Sequence, residues 1–484
     1  MLKVFNKIKF VLLGCALISA YVFAQGTDTW TLDNSAVKRA TAGQFSTDSD
    51  KVKSKDIFDL QRSFFTAGYL GNGAFSTNGG GTVDSFMLNN GVQGAFGIAL
   101  PNNMYLGFAA RYKFDDSANM MTDKDGNVPA FSTDPTASIS KLWAINSQVA
   151  LRAAFRINDM AAIHYYFGLN DDGATRTSPA YAIYQNKTAN GDDYKMYINN
   201  AVWTHEIAAS IKFGEHKLTI PVGIVFHANN THTKGKQYIS SATTPYKQDT
   251  DLTTYKAEDY ISLYLNPEFN LGVTAGSMTG ITVGANLAFG VNNNFGQNGT
   301  IKHENGTEMK FEGKQGKDRF KGDIYVSFPL YWSLANDQVQ LAMEPKLSLG
   351  LSVTNTGNDS QKAGNTPSTG LAGYKSEVQF IPYAELPIGT TWQPVEWWQL
   401  RAGTALMIQA TTKWTTSVPA KADGSLDETL KTVNTLLTTE AGIAGFFGMG
   451  FMVGEDFDID LYAEVSSLSV NNLNFGGQLT YRFN

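Results

Sequence analysis

The sequence predicts an all-β fold: an antiparallel up-and-down transmembrane β-barrel of about 16 strands, within a range of roughly 14–18. Three observations predict it. Seven times along the 484 residues, two segments of period-two apolar alternation meet across a tight polar turn. The connections between those pairs are long and polar. After residue 24 no stretch is apolar for long enough to cross a membrane as a helix.

The turns are Pro101-Asn102-Asn103, Asn158-Asp159, Gly214-Glu215, Ala275-Gly276-Ser277, Asn336-Asp337, a looser one over Gly389–Glu396, and Gly454-Glu455-Asp456. Asn, Asp and Gly tolerate the left-handed backbone that a two-residue hairpin needs. Short turns at one end and long loops at the other describe a barrel with two unlike rims.

The strands follow from counting alternation. In Thr279–Val291, Ile281, Val283, Ala285, Leu287, Phe289 and Val291 share one face, opposite Gly280, Thr282, Gly284 and Asn286. In Phe457–Val465 an apolar face opposes Asp458, Asp460, Tyr462 and Glu464, so that face must stay wet. An opening strand at Phe65–Gly71 leads into Val92–Leu100, Met104–Phe114, Trp143–Ile157, Ala161–Leu169, Trp203–Phe213, Leu218–Phe226 and Ile261–Val273. Beyond Thr279–Val291 come Ile324–Leu334, Val339–Val353, Val378–Ile388, Trp398–Ile408 and Ala441–Phe451, then Phe457–Val465 and the closing Leu473–Phe483. Lengths of about 9–13 residues suit tilted spanning strands, and the even count puts both termini on the short-turn side. Prolines 221, 267, 329, 345, 382 and 387 fall inside these strands, where each removes a ladder donor and calls for a bulge or a strand end. Lys413–Val418 and Glu308–Glu312 are further strand candidates within the long loops. Trp143, Trp203, Phe213, Trp332, Trp398 and Phe451 stand near outward strand ends, as interfacial girdles require.

Residues 1–24 read as a secretory signal: Lys3, Lys7 and Lys9 form a basic start, Phe10–Ala20 an apolar run, and Val22-Phe23-Ala24 a small-residue cleavage site. Cleavage removes three lysines and no acids, taking the net charge from −6 to −9, and removes Cys15, the one cysteine. Disulfides and thiolate metal sites are thereby excluded from the mature chain. Leu12-Leu13-Gly14-Cys15 also resembles a lipobox, but the apolar run before Cys15 is short. Residues 25–60 are polar, rich in Ser, Thr, Asp and Lys over Lys38–Asp56, and read as a periplasmic tail or a lumenal plug. Residues 61–484 form the barrel.

Charged residues make up 17% of the chain, below the roughly 25% usual for soluble proteins. The negative net charge argues against nucleic acid as a partner. No nucleophile elbow or phosphate-binding glycine loop is present, and His227 and His232 alone do not make a metal site. Neither enzymatic activity nor a cofactor is expected.

At its end, Phe475, Leu479, Tyr481 and Phe483 alternate as in the closing β-signal that outer-membrane barrels present to their assembly machinery, with Phe483 one place before the end. With the leader and the hairpin rhythm, residues 60–484 resemble a porin-type outer-membrane protein. The resemblance implies the bacterial outer membrane as location. It also implies the lipid bilayer, the barrel assembly machinery and small polar solutes as partners, and it admits a homotrimer. Its expected function is passive diffusion of small hydrophilic solutes through a water-filled pore. The alternatives are a surface adhesin acting through its long loops, or a hydrophobic-substrate transporter with an N-terminal hatch.

On the polar faces, Arg111, Lys113, Arg152 and Arg156 lie on adjacent strands, while Asp458, Asp460 and Glu464 lie on the fifteenth. Opposed charged walls set ion selectivity in pores, so these residues are the candidate pore lining. Glu206, Glu268, Glu344, Glu385, Lys212, Lys217, Lys346, Arg401 and Arg482 share that wall. The loop Asn170–Asn199 occupies the place where classical sixteen-stranded porins fold a loop inward. Its Asp171, Asp172, Asp192 and Asp193 are expected to face the basic strands.

Overall fold

The computed structural model describes residues 63–77, 83–114, 138–145, 147–170, 181–187, 191–239, 246–273, 275–312, 314–335, 338–356, 362–363, 366–367, 374–419, 426–454, 456–465 and 473–483. The leader, Cys15 and the polar segment 25–60 lie outside these residues.

In chain order the strands are β1 (Ser63–Thr77), β2 (Val83–Leu100), β3 (Met104–Phe114), β4 (Ser138–Ile145), β5 (Ser147–Asn158), β6 (Ala161–Leu169), β7 (Tyr181–Lys187), β8 (Asp193–Asn199) and β9 (Val202–Phe213). Next come β10 (His216–His227), β11 (Asn230–Ile239), β12 (Tyr246–Leu265), β13 (Glu268–Leu271), β14 (Ile281–His303), β15 (Glu308–Glu312), β16 (Lys314–Ser327), β17 (Leu330–Leu334) and β18 (Val339–Met343). The last are β19 (Lys346–Thr356), β20 (Lys362–Ala363), β21 (Thr366–Pro367), β22 (Tyr374–Val395), β23 (Trp398–Val418), β24 (Thr432–Val453), β25 (Phe457–Val465) and β26 (Leu473–Phe483).

The wall is a closed antiparallel barrel of 18 strands. Its ladder runs β1–β2–β3–β5–β6–β9–β10, then through β12 and β13 to β14 and β16, through β18 and β19 to β22, and on through β23, β24 and β25 to β26. The terminal strand β26 pairs with β1 from Ser63↔Phe483 to Gly73↔Leu473 and closes the ring. Proline cuts three paths in two: Pro329 separates β16 from β17, which pairs with β18. Pro267 separates β12 from β13, both of which pair with β10 and β14. Pro345 separates β18 from β19, both of which pair with β22. Without an N–H, each proline interrupts its ladder. Pro221 is tolerated inside β10, and around Pro382 the β22–β23 pairing lapses between Phe380↔Thr412 and Tyr383↔Gln409 and resumes in the same register.

The hairpin turns are tight where the sequence supplies left-handed residues. Asn102 and Asn103 have φ of 65° and 61°, which places both central residues of that turn in the left-handed region. The expected turn over Gly389–Glu396 is corrected: β22 runs on to Val395, which pairs with Trp398 across a two-residue turn at Glu396-Trp397. The β-branched and aromatic run Thr390-Thr391-Trp392 favours extended backbone there.

Alternation along each strand now has a physical direction. On β6, Ile163 and Tyr165 point out and are exposed, while Ala162, His164 and Tyr166 point in and are buried. Ile207, Val222, Leu263, Val283, Ile324, Leu349, Ile408, Phe447 and Leu479 are likewise exposed on the outside. An outer surface more apolar than the inner one is stable against lipid and unstable against water.

On the long-loop side the ladder continues upward through β4–β7–β8–β11 to the upper half of β12, and through β15 beside β14. Within the expected constriction loop, Tyr181–Lys187 and Asp193–Asn199 are therefore the paired strands β7 and β8, part of a raised wall. Glu308–Glu312, a strand candidate in the sequence, is β15, and Lys413–Val418 is the upper end of β23.

Candidate functional site: the lumenal wall

Glu206, Glu268, Asp323 and Glu385 stand on the inward faces of β9, β13, β16 and β22, and Glu344 on the break between β18 and β19. Together they form an acidic arc along neighbouring paths of the barrel. Each is held by specific donors. His164 Nε2 lies 3.1 Å from Glu206 Oε1, and the Tyr264 hydroxyl donates to Glu206 Oε2 at 2.8 Å. Tyr325 donates to Glu268 Oε2 at 2.7 Å, and Asn270 to its other oxygen at 3.0 Å. Asn286 donates to both Asp323 oxygens at 3.3 and 3.2 Å, and Ser348 to Oδ2 at 3.3 Å. Ser327 donates to Glu344 at 2.9 Å, and Tyr383 to Glu385 at 3.0 Å. Hydroxyls and amides orient a carboxylate without cancelling its charge. Lys346 stands opposite Glu385 in the ladder with its ammonium 4.4 Å above the Tyr325 ring, a cation–π distance.

The candidate lining residues divide into three groups. Arg152 faces inward on β5 and is 2% exposed, whereas Arg156 lies at the short-turn rim, where Nη2 donates to Asn103 Oδ1 at 3.0 Å. Arg111 and Lys113 lie on β3, which pairs with β5 as expected, but their side chains fall outside the described residues, as does that of Glu464 on β25. Asp171 and Asp172 also lie outside the described residues.

Asp458 and Asp460 depart from the expected free acidic strand. Arg482 pairs with Asp458, and Arg401 Nη1 donates to Asp460 Oδ1 at 2.6 Å with side-chain exposures of 0% and 2%. Arg401 also donates to Gln399 at 2.8 Å. It crosses β24 at Gly450, where a Cβ would fall 2.6 Å from Nη2. The acidic face of the lumen is thus the arc from β9 to β22, which sequence alternation resolved into single residues without their neighbours. Asp323, His164 and the tyrosines 264, 325 and 383 were missed. Only the strand register brings them beside the acids.

Opposite in character is the inward face of β1 to β6. Phe64, Ala95, Tyr105, Ala109, Ala154 and Tyr166 belong to one buried apolar cluster there. At the short-turn rim, aromatic pairs ring the outer edge: Phe213 with Phe269 at 5.8 Å, Trp397 with Phe451 at 6.4 Å, and Tyr481 with Phe483 at 6.0 Å. Three of these, Phe213, Phe451 and Trp397, lie on or beside the predicted girdle positions. Trp143 has a side chain outside the described residues.

Above the wall, Glu377 sits between Lys375 at 2.7 Å and Lys413 at 3.1 Å. The hydrogen bond from Lys375, aided by Lys413, holds its carboxyl below the usual carboxylate range.

Residues 227–461 match UPF0164, an uncharacterised protein family. No curated protein matches the chain. Among solved structures it is similar to a loop-deletion mutant of OmpT, an outer membrane protein of Vibrio cholerae, at 9% identity over 87% of this chain and 98% of that one, with a TM-score of 0.30. It is similar to the copper transporter OprC at 10% identity, covering 87% and 80%, with a TM-score of 0.33. A mutant of Rh. blastica porin matches at 9% identity, covering 87% and 99%, with a TM-score of 0.27. With its closed antiparallel wall, outward apolar belt and polar interior, the chain has the architecture of a porin-type outer-membrane β-barrel.

Proposed function

We propose that the barrel is a passage for small hydrophilic solutes across the outer membrane, and that its wall favours cations. The acidic arc from Glu206 to Glu385 carries this reading. Its carboxylates are oriented toward the lumen by tyrosine, serine, asparagine and histidine side chains. A wall of fixed charge raises the local concentration of the opposite ion and biases permeation. Passage is by diffusion, with size exclusion set by the lumen and no turnover chemistry. Refolded protein in a planar bilayer with asymmetric KCl supports the reading if it gives stable steps and a reversal potential of cation sign. An anion-sign potential overturns the preference.

A second reading is a transporter for an apolar solute, with residues 25–60 as a hatch. Deleting residues 25–60 separates the two: a hatch-bearing transporter gains conductance, and a porin with a periplasmic tail does not.

A further inference from the structure

The acidic arc is built by a repeated three-path brace. Glu206, Gly223 and Tyr264 stand in one row of the ladder, since Gly223 pairs with Glu206 on one side and with Tyr264 on the other. Glu268, Gly284 and Tyr325 repeat the row, with Gly284 paired to both. In each row the tyrosine lies flat across the glycine and reaches the carboxylate beyond it, at 2.8 Å and 2.7 Å. The space over the glycine is filled by the ring. A Cβ on Gly223 would meet Tyr264 Cζ at 2.2 Å, and one on Gly284 would meet Tyr325 Cζ at 2.4 Å. No real Cβ tolerates such approaches, so any larger residue at either glycine must drive the ring off the wall.

We propose that Tyr264 and Tyr325, admitted by Gly223 and Gly284, are the positioning residues that set the charge selectivity of the pore. The ring keeps the wall thin, and the hydroxyl fixes the carboxylate against it, facing the passage. The inference rests on the cation-favouring reading above. It separates two roles within one side chain: ring placement governs width, and the hydroxyl governs where the charge sits. Asn270 and Lys346 also contact the second brace, from the sides rather than across the glycine.

The test uses the full barrel in planar bilayers with KCl, reading single-channel conductance and the K⁺/Cl⁻ permeability ratio separately. Tyr325→Phe keeps the ring and removes only the donor. It should leave conductance within the wild-type range while the permeability ratio falls by roughly twofold or more, the share expected when one of several wall charges loses its placement. Gly284→Ala should lower both, and adding Tyr325→Ala to it should restore conductance without restoring the ratio. Failure of that rescue means the clash does not run through the ring. Glu268→Gln is the control for the underlying reading. If it leaves the ratio unchanged, the acidic arc does not set selectivity and the cation-favouring reading falls. If it lowers the ratio while Tyr325→Phe does not, the reading stands and the brace is overturned. Should Gly284→Ala fail to fold, the Tyr325→Phe and Glu268→Gln pair still decides the question.

Discussion

Arg401 and Asp460 form a buried ion pair whose loss can be sized from the structure. Their side chains are 0% and 2% exposed and meet at 2.6 Å across Gly450. Two unit charges about 3 Å apart attract by roughly 5 kcal/mol at an effective dielectric near 20. Desolvating both ions offsets most of that gain, so the intact pair contributes little net stability. Removing one partner is different, because the other charge stays buried and unmatched, at a cost of about 3–5 kcal/mol. Asp460→Asn should therefore destabilise the barrel by about 3 kcal/mol, the lower end of that range, because lumenal water can reach the freed guanidinium. Replacing both residues, as Arg401→Met with Asp460→Leu, should recover most of the loss. The assay is equilibrium urea unfolding of refolded protein in micelles, followed by tryptophan fluorescence and by the gel-mobility shift on heating. A cost below about 1 kcal/mol for Asp460→Asn, or a double variant as unstable as the single, would show that the pair is solvated and the reasoning wrong.

Four further outcomes follow. Leu349→Arg on the lipid face should cost about 2–4 kcal/mol near mid-membrane, whereas Ser352→Arg on the lumenal face of the same strand should cost far less; equal costs in the same unfolding assay would contradict the assigned faces. Gly450→Ala should weaken the Arg401–Asp460 crossing and lower the urea midpoint, and an unchanged midpoint would show that the arginine does not need that gap. Glu377 has a depressed folded-state pKa, so its small contribution is present above the ordinary carboxylate range and lost as pH falls through the folded value. Carboxyl-selective NMR should show Lys375→Met raising its titration midpoint toward normal, and no movement would rule out the lysine as cause. Single-cysteine variants at Ile207 and Glu206, each with Cys15 changed to Ser, should label from lipid and from water respectively; the reverse pattern would invert the barrel wall.

The fold was largely legible because a barrel strand writes its environment in period two. Ile281 to Phe289 and Phe457 to Leu461 announced which face meets lipid, and every sequence-derived strand falls on the observed wall or its upward extension. The expected strands are divided where Pro267, Pro329 and Pro345 interrupt a path, and Trp143–Ile157 is shared between β4 and β5. The turn expected over Gly389–Glu396 tightens to Glu396-Trp397 because pairing with β18 and β23 keeps the strand extended through Val395. The site was less legible. Alternation showed that Glu206, Glu268, Asp458 and Asp460 face the lumen, but it carries no information on register. Register decides that Asp460 meets Arg401 and that Glu268 meets Tyr325. The long polar loop after β6 looked free to fold inward, yet Tyr184, Met196 and Ile198 give β7 and β8 an apolar face that packs as wall.

The central claim is that the lumen is an open passage with an acidic arc exposed to solutes. Reversal-potential measurement on the refolded full-length barrel in a tenfold KCl gradient tests it most directly. The account predicts stable conductance steps with a cation-sign potential that shrinks when Glu268 and Glu385 are changed to Gln. Absence of steps, or a potential of anion sign, would contradict it.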